Sequence, residues 1–345
     1  MKRRYYYMDL LNILATFAVV MLHSSSFAFS NAAGWHWDLA VSLQVLFIFA
    51  VPIFFMISGA NILDYRTRET TSVFFRKRLK RIAVPFLMWS IVWFLYFNHY
   101  DWHHSLLKLN TYNIFIYKFL HGNVQPIFWF FYVIIGFYLS APVLTEIFNV
   151  ENKRTIEYLI LLNVIIVALI GYYYQLRQQP ALAFESALSI GSAGSIGIFS
   201  IGWYLQHFSI GKYKKYLYIF GIFSVICMVA LTIHLSHVCD QYQSNVYSIW
   251  GVFGLAWSTT IFYAFKDKFT DWQPSQKVQK IISEMASASL GVYVIHYFMI
   301  DHIDRYHLIE INSIKHMIIV PLVVWGCSIV ITILIKKIPF LRRAV

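Results

Sequence analysis

The chain has 345 residues, of which 59% are hydrophobic, 19% aromatic and only 13% charged. This composition excludes an ordinary soluble domain and indicates a polytopic membrane protein. The net charge of +12 does not point to nucleic acid, because the basic residues fall in short segments between apolar runs, where they act as orientation signals and contact lipid headgroups.

The apolar runs predict an all-α fold of about ten transmembrane helices, in a single domain that covers residues 1–345. A helix needs about 20 apolar residues to cross the bilayer core. The third run is short, and its helix either tilts or begins earlier, within the basic segment before it. The predicted spans lie near 8–30, 40–63, 82–98, 126–148, 156–175, 186–208, 215–236, 245–265, 284–303 and 313–335.

The distribution of Lys and Arg predicts the orientation of these spans. If the N-terminus is inside, the inner segments hold 23 of the 28 Lys and Arg residues. Cytoplasmic segments carry such an excess, and an odd number of spans would scramble the pattern. We therefore expect both termini to be cytoplasmic.

His23 is the first candidate for chemistry, because an imidazole within hydrocarbon is costly and such residues are often functional. It lies in the outer half of the first span and is followed by three serines. A neutral imidazole can act as a general base near pH 7 if a neighbour fixes its tautomer. Asp9 and Asn12 lie too far along the helix to be that neighbour. The alternative is a histidine that only bonds a neighbouring helix.

Arg78 and Arg81 are the second candidate pair, within the basic segment from Phe75 to Pro85. In an α-helix they project from one face, and two planar guanidinium groups suit a diphosphate better than lysines do. The alternative is ordinary cytoplasmic charge in contact with anionic lipid.

His296 is the third candidate, at a depth in the ninth span comparable with that of His23. Tyr293 lies one turn below it and Ser289 two turns below, on the same helix face. Two imidazoles at similar depth are able to line a shared polar cavity. The acidic and basic residues from Asp301 to Arg305 predict an ion-pair cluster at the outer end of this helix.

Aromatic residues and histidines crowd the predicted outer segments, as in Trp35-His36-Trp37 and His103-His104. They are typical of an interfacial aromatic belt, and a sugar-stacking platform is the alternative. The outer segment 99–125 predicts a short interfacial helix from Tyr112 to Leu120. No cysteine or paired carboxylate completes a metal site at these histidines, so we expect no metal.

Small residues in the sixth span predict close helix packing rather than a ligand loop. They run as Gly191-Ser-Ala-Gly194-Ser-Ile-Gly197, followed by Gly202. In the second span, Gly59 follows Ser58 and is expected to kink the helix.

Six of these segments, in this order, resemble the acyltransferase-3 family of integral membrane acyltransferases, which typically have ten helices. The resemblance is spread over the whole chain. Each matching segment is weak evidence by itself, but six of them in the same order are specific. The chain has Asn12 where the family often has Arg, and Phe128 where many members have His. The segments are Asp9-Leu-Leu-Asn12 leading to His23, Phe54 to Gly59, Phe75 to Pro85, Pro126 to Tyr132, Gly202-Trp-Tyr-Leu205, and Ser289 to His296.

The resemblance implies transfer of an acyl group, commonly acetyl from acetyl-coenzyme A, to a hydroxyl of a cell-surface or lipid-linked carbohydrate. It implies that His23, Arg78 and Arg81 are essential, with the arginines at the donor coenzyme and no metal cofactor. Combined with depth and spacing, it assigns His23 as the base and His296 or Tyr293 as donor to the oxyanion. The expected location is the plasma membrane of a bacterium, with multiple spans.

Several alternatives stay open on the sequence. A transporter or flippase of lipid-linked saccharide is the main rival, although no inverted repeat is visible. Direct transfer and an acyl-histidine relay are both compatible with the residues. The acceptor, the choice between acetyl and succinyl, and the oligomeric state are not determined.

Overall fold

The computed structural model describes residues 4–30, 32–106, 108–179 and 193–345, and these residues form helices and no strand. An all-α membrane fold follows from the need to pair every backbone amide inside the apolar phase. The helices in the first half are α1 Tyr6–Ser24, α2 Trp35–Phe47, α3 Ala50–Ile62, α4 Thr71–Arg78, α5 Val84–Phe97, α6 Leu109–Leu120, α7 Trp129–Ile147, α8 Lys153–Asn163 and α9 Tyr172–Leu176.

The second half continues the alternation of long apolar helices and short connections. Turns of π-helix at Leu79–Ala83 and Val164–Gly171 join neighbouring α-helical segments into longer ones, and the π turn Lys315–Ile319 begins the last helix. The helices are α10 Ala193–His207, α11 Lys214–Cys239, α12 Val252–Phe269, α13 Gln276–Ser287, α14 Ser289–Arg305 and α15 Val320–Lys337.

Within the described residues, eight continuous helical segments are long and apolar enough to cross a membrane. The pair α13 and α14 adds a ninth if it is one span bent by 57°. The predicted sixth span, 186–208, begins outside the described residues, as do Gly191 and the following serine; its described part is α10. The count of ten spans and the side on which the termini lie stay predictions.

Several helix ends differ from their predicted positions. The first helix ends at Ser24 rather than near residue 30, because the Ser25 hydroxyl donates to the Met21 carbonyl and a 3-10 turn follows. The second span begins at Trp35 and is interrupted between α2 and α3. The third begins at Thr71, so that Arg78 and Arg81 belong to a helix and not to a loop.

The contact between α3 and α10 forms the centre of the largest core. Gly59 lies against the backbone of Phe199, and Gly202 lies against the backbone of Met56. Helix α3 runs through Gly59 without a break, and the kink expected there stays a prediction. The predicted close packing of the sixth span is observed in its described part. Phe137 stacks on Phe199 at 3.5 Å between ring centroids and extends this core to α7.

The helix predicted in the long outer segment forms as α6 and packs across α5. The ring of Phe115 lies 5.2 Å from that of Phe94, and the ring of Phe119 lies 5.0 Å from that of Phe86. The hydroxyl of Tyr132, at the start of α7, donates to the Phe119 carbonyl. The chain between α5 and α7 therefore runs back along the outside of α5.

Two ends of the bundle can be distinguished by their contacts. At the basic end, which carries residues 64–83, 209–215 and 266–280, Lys214 bonds Asp267 at 3.1 Å and Arg66 pairs with Glu146. At the far end, Arg305 bonds Asp101 at 2.8 Å. The side chain of Lys336 donates to the Ser287 carbonyl, which the bend between α13 and α14 releases from its helix.

We predict that Gly202→Ala lowers the free energy of unfolding by about 1–3 kcal/mol, because the added methyl group would overlap the backbone of Met56 and force α3 and α10 apart. Thermal unfolding of the protein in detergent measures this change. Gly136→Ala is the matched control, since a methyl group at Gly136 meets no atom within 4 Å. Equal midpoints for the two variants would contradict this account of the packing.

Candidate active site

The rings of His23 and His296 meet in the interior of the bundle. Their centroids are 5.2 Å apart, with an angle of 39° between the ring planes. His296 is fully buried and His23 is partly buried, in the last turn of α1. The similar depths expected for the two histidines thus correspond to direct contact between α1 and α14.

The hydrogen bond made by His296 fixes the position of its proton. Nδ1 lies 2.9 Å from the Val292 carbonyl oxygen, one turn below on α14. A carbonyl oxygen only accepts, so Nδ1 carries hydrogen and the neutral ring has its lone pair on Nε2. This Nε2 is buried and has no hydrogen-bond partner among the described residues. His296 is therefore a base or an acceptor while neutral, and it donates from Nε2 only when protonated.

The hydroxyl of Tyr293 is already engaged. It donates to the backbone carbonyl of Ile127, in the 3-10 turn that leads into α7. The Tyr293 ring lies 6.2 Å from that of His296. The structure thus brings the predicted residues His23, His296 and Tyr293 together, but it directs the Tyr293 hydroxyl at the protein backbone.

Two aromatic residues that the sequence predictions did not include extend the site: Tyr297 contacts the histidine pair, and Trp93 lies behind Tyr297. The Tyr297 ring stands edge-on to His23 at 5.3 Å. The fully buried Trp93 lies 5.8 Å from Tyr297 and stacks on Phe298 at 3.7 Å. Tyr297 follows His296 directly in the motif, whereas no local signal distinguishes Trp93 from the other aromatic residues of its span.

Buried side-chain nitrogen and oxygen atoms without a hydrogen-bond partner concentrate around the histidines and toward the basic end. Unpaired polar groups within a membrane each cost several kcal/mol, so their clustering calls for an explanation. Seven of the nine such atoms in the described part lie on α1, the α4–α5 helix, α14 or the turn before α7. These seven are Ser24 Oγ, Arg78 Nε, Ser90 Oγ, Trp93 Nε1, Gln125 Nε2, Ser289 Oγ and His296 Nε2.

Arg78 and Arg81 lie at the basic end of the same helix. The guanidinium of Arg78 lies over the rings of Phe74 and Tyr138, at 5.5 and 5.8 Å from their centroids. The π turn at Leu79–Ala83 follows Arg78 directly, and Arg81 lies within it and is exposed. The expectation that both guanidinium groups project from one helix face stays a prediction.

Two neighbouring cations are neutralised by carboxylates, whereas Arg78 and Arg81, like Arg76 and Lys80, have no such partner in the described chain. Arg66 pairs with Glu146, and Lys77 pairs with Glu69. The bond from Lys77 lowers the pKa of the Glu69 carboxyl below its ordinary value. In the described chain, Arg78 and Arg81 have no carboxylate within ion-pair distance, so their positive charge stays available to an anion.

A pair formed by one histidine and one aspartate, which the sequence did not predict, anchors the loop before α4. Nε2 of His207 lies 2.9 Å from the Asp64 carboxylate, and its Nδ1 lies 2.9 Å from the Trp203 carbonyl. The indole N–H of Trp203 also donates to Asp64. Since both ring nitrogens are engaged, this pair stabilises the junction of α3 and α10 and offers no free base.

A cleft opens at the far end of the bundle, with a volume of about 610 Å³. Its wall is formed by His36 and by residues 308–315, including the polar side chains of Glu310, Asn312 and Lys315. Lys315 precedes His316, whose ring bonds the Ser24 carbonyl next to His23. The cleft therefore adjoins the end of α1 that carries the first candidate base.

The tryptophans at the start of α2 have separate roles. Trp37 is buried, and its indole N–H donates to the carbonyls of Ala28 and Ser30. Trp35 is 59% exposed and stacks on His36, a residue of the cleft wall, at 3.7 Å. Trp37 thus belongs to the core, and Trp35 alone of this pair is accessible beside the cleft.

The ion-pair cluster predicted from Asp301 to Arg305 divides into two separate groups, one around Arg305 and one around Asp304. Arg305 bonds both Asp101 and Asp301, whereas Asp304 bonds His316 at 2.7 Å. In the described chain, no group of three or more His, Cys, Asp or Glu side chains is arranged to hold a metal ion.

Comparison with known protein families decides between the function classes that the sequence left open. The model of the acyltransferase-3 domain matches residues 5–336, nearly the whole chain. The chain belongs to the acyltransferase-3 family. It is thus a multi-pass membrane acyltransferase, and the family match favours this class over the transporter. No curated protein and no solved structure matches the chain.

We predict that Tyr293→Phe destabilises this acyltransferase by about 1–3 kcal/mol, because it leaves the buried Ile127 carbonyl without a donor. The folded variant should keep a kcat near that of the wild type, since the hydroxyl is directed at the backbone. Thermal unfolding and initial rates of acyl transfer measure the two effects. A large loss of kcat at unchanged stability would assign Tyr293 to the chemistry instead.

Proposed function

We propose that the protein transfers an acyl group, acetyl in the first instance, from an acyl-coenzyme A to a hydroxyl of a cell-surface or lipid-linked carbohydrate. The observation that carries this proposal is the contact between His23 and His296, on a helix bundle of a family of membrane acyltransferases. Acyl transfer to a hydroxyl needs a positioned base, and a pair of neutral imidazoles in a water-poor site supplies one.

The unpaired cations at the basic end support a coenzyme A donor. Arg78 and Arg81 carry charge without carboxylate partners, which suits the phosphates of a nucleotide. Arg78 also has a buried Nε without a partner, so a bound anion would satisfy a donor that the described chain leaves unpaired. Anionic lipid headgroups share this chemistry and are the competing ligand.

A polar route leads from these arginines toward the histidines. Arg78 and Trp93 lie on one continuous helix, about 22 Å apart along its axis. Side-chain atoms of Ser90 and Trp93 on this helix, and of Ser289 and His296 on α14, are buried without a hydrogen-bond partner. The amide-bearing arm of an acyl-coenzyme A offers matching hydrogen-bond groups. We therefore infer that the arm runs between α5 and α14 and presents its thioester near the histidines.

In the proposed mechanism, His23 accepts the proton of the acceptor hydroxyl as its oxygen attacks the thioester carbonyl carbon. His296 holds its lone pair on Nε2, which has no partner among the described residues in this structure, and we propose that it accepts the remaining N–H of His23 during the reaction and so fixes the His23 tautomer. The carbon–sulfur bond then breaks, and the imidazolium of His23 returns the proton to the leaving thiolate. The products are an ester and free coenzyme A.

The assignment of His296 as orienting acceptor revises its expected role as oxyanion donor. Neutral His296 has no N–H on the side of Nε2, and the hydroxyl of Tyr293 bonds Ile127. The Ser24 hydroxyl and the Trp93 indole N–H are buried donors without partners near the pair. They are the groups that we propose for the developing negative charge.

The cleft at the far end is the proposed site of the carbohydrate acceptor. Exposed Trp35 offers an apolar ring face, and Glu310, Asn312 and Lys315 offer donors and acceptors for sugar hydroxyls. In this proposal the basic end faces the cytoplasm of a bacterial cell, so that donor and acceptor approach from opposite sides of the plasma membrane.

We predict that donor binding depends on Arg78 and Arg81. Titration of the detergent-purified protein with acetyl-coenzyme A by calorimetry should show saturable binding, weakened at least about tenfold in Arg78→Gln/Arg81→Gln. Lys77→Gln is the matched control on the same helix, because Lys77 is already paired with Glu69. His23→Ala should bind the donor normally and lose transfer by about 10²–10⁴-fold.

A folded wild-type protein that fails to bind acetyl-coenzyme A would contradict the proposed donor. Equal losses in Lys77→Gln and the double variant would indicate that general surface charge, rather than a defined site, attracts the coenzyme. Normal transfer by His23→Ala would contradict the proposed chemistry even if the donor binds.

We further predict that Trp35→Ala raises the KM for a carbohydrate acceptor about three- to tenfold, because it removes an aromatic contact of about 0.5–1.5 kcal/mol. The KM for the acyl donor should not change. Tyr213→Ala, an equally exposed aromatic residue at the basic end, is the control. An unchanged acceptor KM in Trp35→Ala would assign Trp35 to the interfacial belt.

A further inference from the structure

His316 is a buried histidine that the mechanism above does not use. It lies in the π turn Lys315–Ile319 before α15, and its side chain is fully buried. Nδ1 lies 2.9 Å from the Ser24 carbonyl oxygen, and Nε2 lies 2.7 Å from the Asp304 carboxylate. One imidazole thus connects the last residue of α1 with α14.

His316 bonds the Ser24 carbonyl at the end of α1, where the helix itself offers that carbonyl no hydrogen-bond partner. The last carbonyls of a helix have no partner within the helix. Here the Ser25 hydroxyl bonds the Met21 carbonyl, the Gln44 amide bonds the Leu22 carbonyl, and His316 bonds the Ser24 carbonyl. Side chains from three parts of the chain therefore hold the turn that carries His23.

The chemistry of the two partners fixes the direction of the bonds. The Ser24 carbonyl only accepts, so Nδ1 of His316 carries hydrogen whether or not the ring is charged. Nε2 shares a proton with the carboxylate of Asp304. The bond to Ser24 thus depends on Nδ1 alone, while the bond to Asp304 holds the ring in place from the opposite side.

Asp304 and His296 are on the same helix, two turns apart. The link from Ser24 through His316 to Asp304 therefore runs between the two helices whose imidazoles meet at 5.2 Å. A shift of the last turn of α1 would change the distance between those imidazoles directly, because His23 precedes Ser24.

We propose that His316, held by Asp304, is a positioning residue that fixes the His23 imidazole against His296. This inference rests on the proposed role of His23 in acyl transfer. It adds a residue that touches neither donor nor acceptor and acts through the backbone of α1. Misplacement of a reacting group by about 1 Å can cost about 10²-fold in rate.

Two isosteric variants test the proposal, since the amide nitrogen of Asn replaces Nδ1 and that of Gln replaces Nε2. His316→Asn keeps the donor to Ser24 and should retain a kcat close to the wild type. His316→Gln keeps the donor to Asp304 and should lower kcat about 10- to 100-fold. Neither variant should change the KM for acetyl-coenzyme A, because the arginines lie at the other end of the bundle. Initial rates with varied donor measure kcat and KM separately.

Val320→Ala is the control for destabilisation, because Val320 is buried in the same cluster as Val20 and Val292, but its apolar side chain makes no hydrogen bond to the end of α1. It should lower the thermal midpoint without lowering kcat. Asp304→Asn, at a partly exposed position, should lower kcat in the same direction as His316→Gln but by less.

Wild-type kcat in His316→Gln would overturn the inference, and so would equal losses in the Asn and Gln variants or a kcat that falls with stability in Val320→Ala. His23→Ala distinguishes the two proposals. If it is inactive while His316→Gln is fully active, only the positioning role fails. If it is active, the proposed function fails.

Discussion

Two imidazole rings 5.2 Å apart join α1 to α14, and the surrounding structure is organised around this contact. A polar side chain within an apolar bundle is costly unless its partners are provided. Val292 supplies one for His296, while the far end of α1 is held by Gln44, Ser25 and His316. The same constraint explains why the remaining unpartnered atoms are informative. They concentrate along α5 and α14, between the histidines and the arginines, where a substrate arm would pair with them.

The fold could be predicted from the sequence to the extent that it depends on hydropathy. Apolar runs identified the membrane class, and the described helices occupy nearly all the predicted spans. The positions of the helix ends were harder to predict from the sequence, because local contacts decide them. The Ser25 hydroxyl bonds the Met21 carbonyl at the end of α1, and a π turn extends the third helix into the basic segment. The interruption between α2 and α3, the bend before Ser289 and the descent of α6 along α5 depend on tertiary contacts that periodicity does not encode.

The sequence predicted which residues lie near one another better than it predicted what each of them can do. Depth along the spans predicted that His23 and His296 lie at a similar level with Tyr293 one turn away, and the distribution of Lys and Arg placed Arg78 and Arg81 in a basic segment. The role of each residue depends on hydrogen-bond partners that only the folded structure shows. Ile127 engages Tyr293, Val292 fixes the tautomer of His296, and Glu69 removes Lys77 from the available cations. Trp93 and His316 were missed because no motif marks them, whereas Tyr297 directly follows His296 in the motif. Tyr297 contacts His23, Trp93 contacts Tyr297, and His316 bonds the end of α1.

We propose that an acyl donor bound at the basic end delivers its acyl group to the histidine pair, which lies nearer the far end. Transfer of radiolabelled acetyl from acetyl-coenzyme A to membrane glycan, in sealed vesicles of defined sidedness, tests it most directly. The account predicts His23-dependent labelling in inside-out vesicles, which expose the basic end. It predicts none in sealed right-side-out vesicles until detergent admits the donor. Equal labelling of both vesicle types before permeabilisation would contradict it.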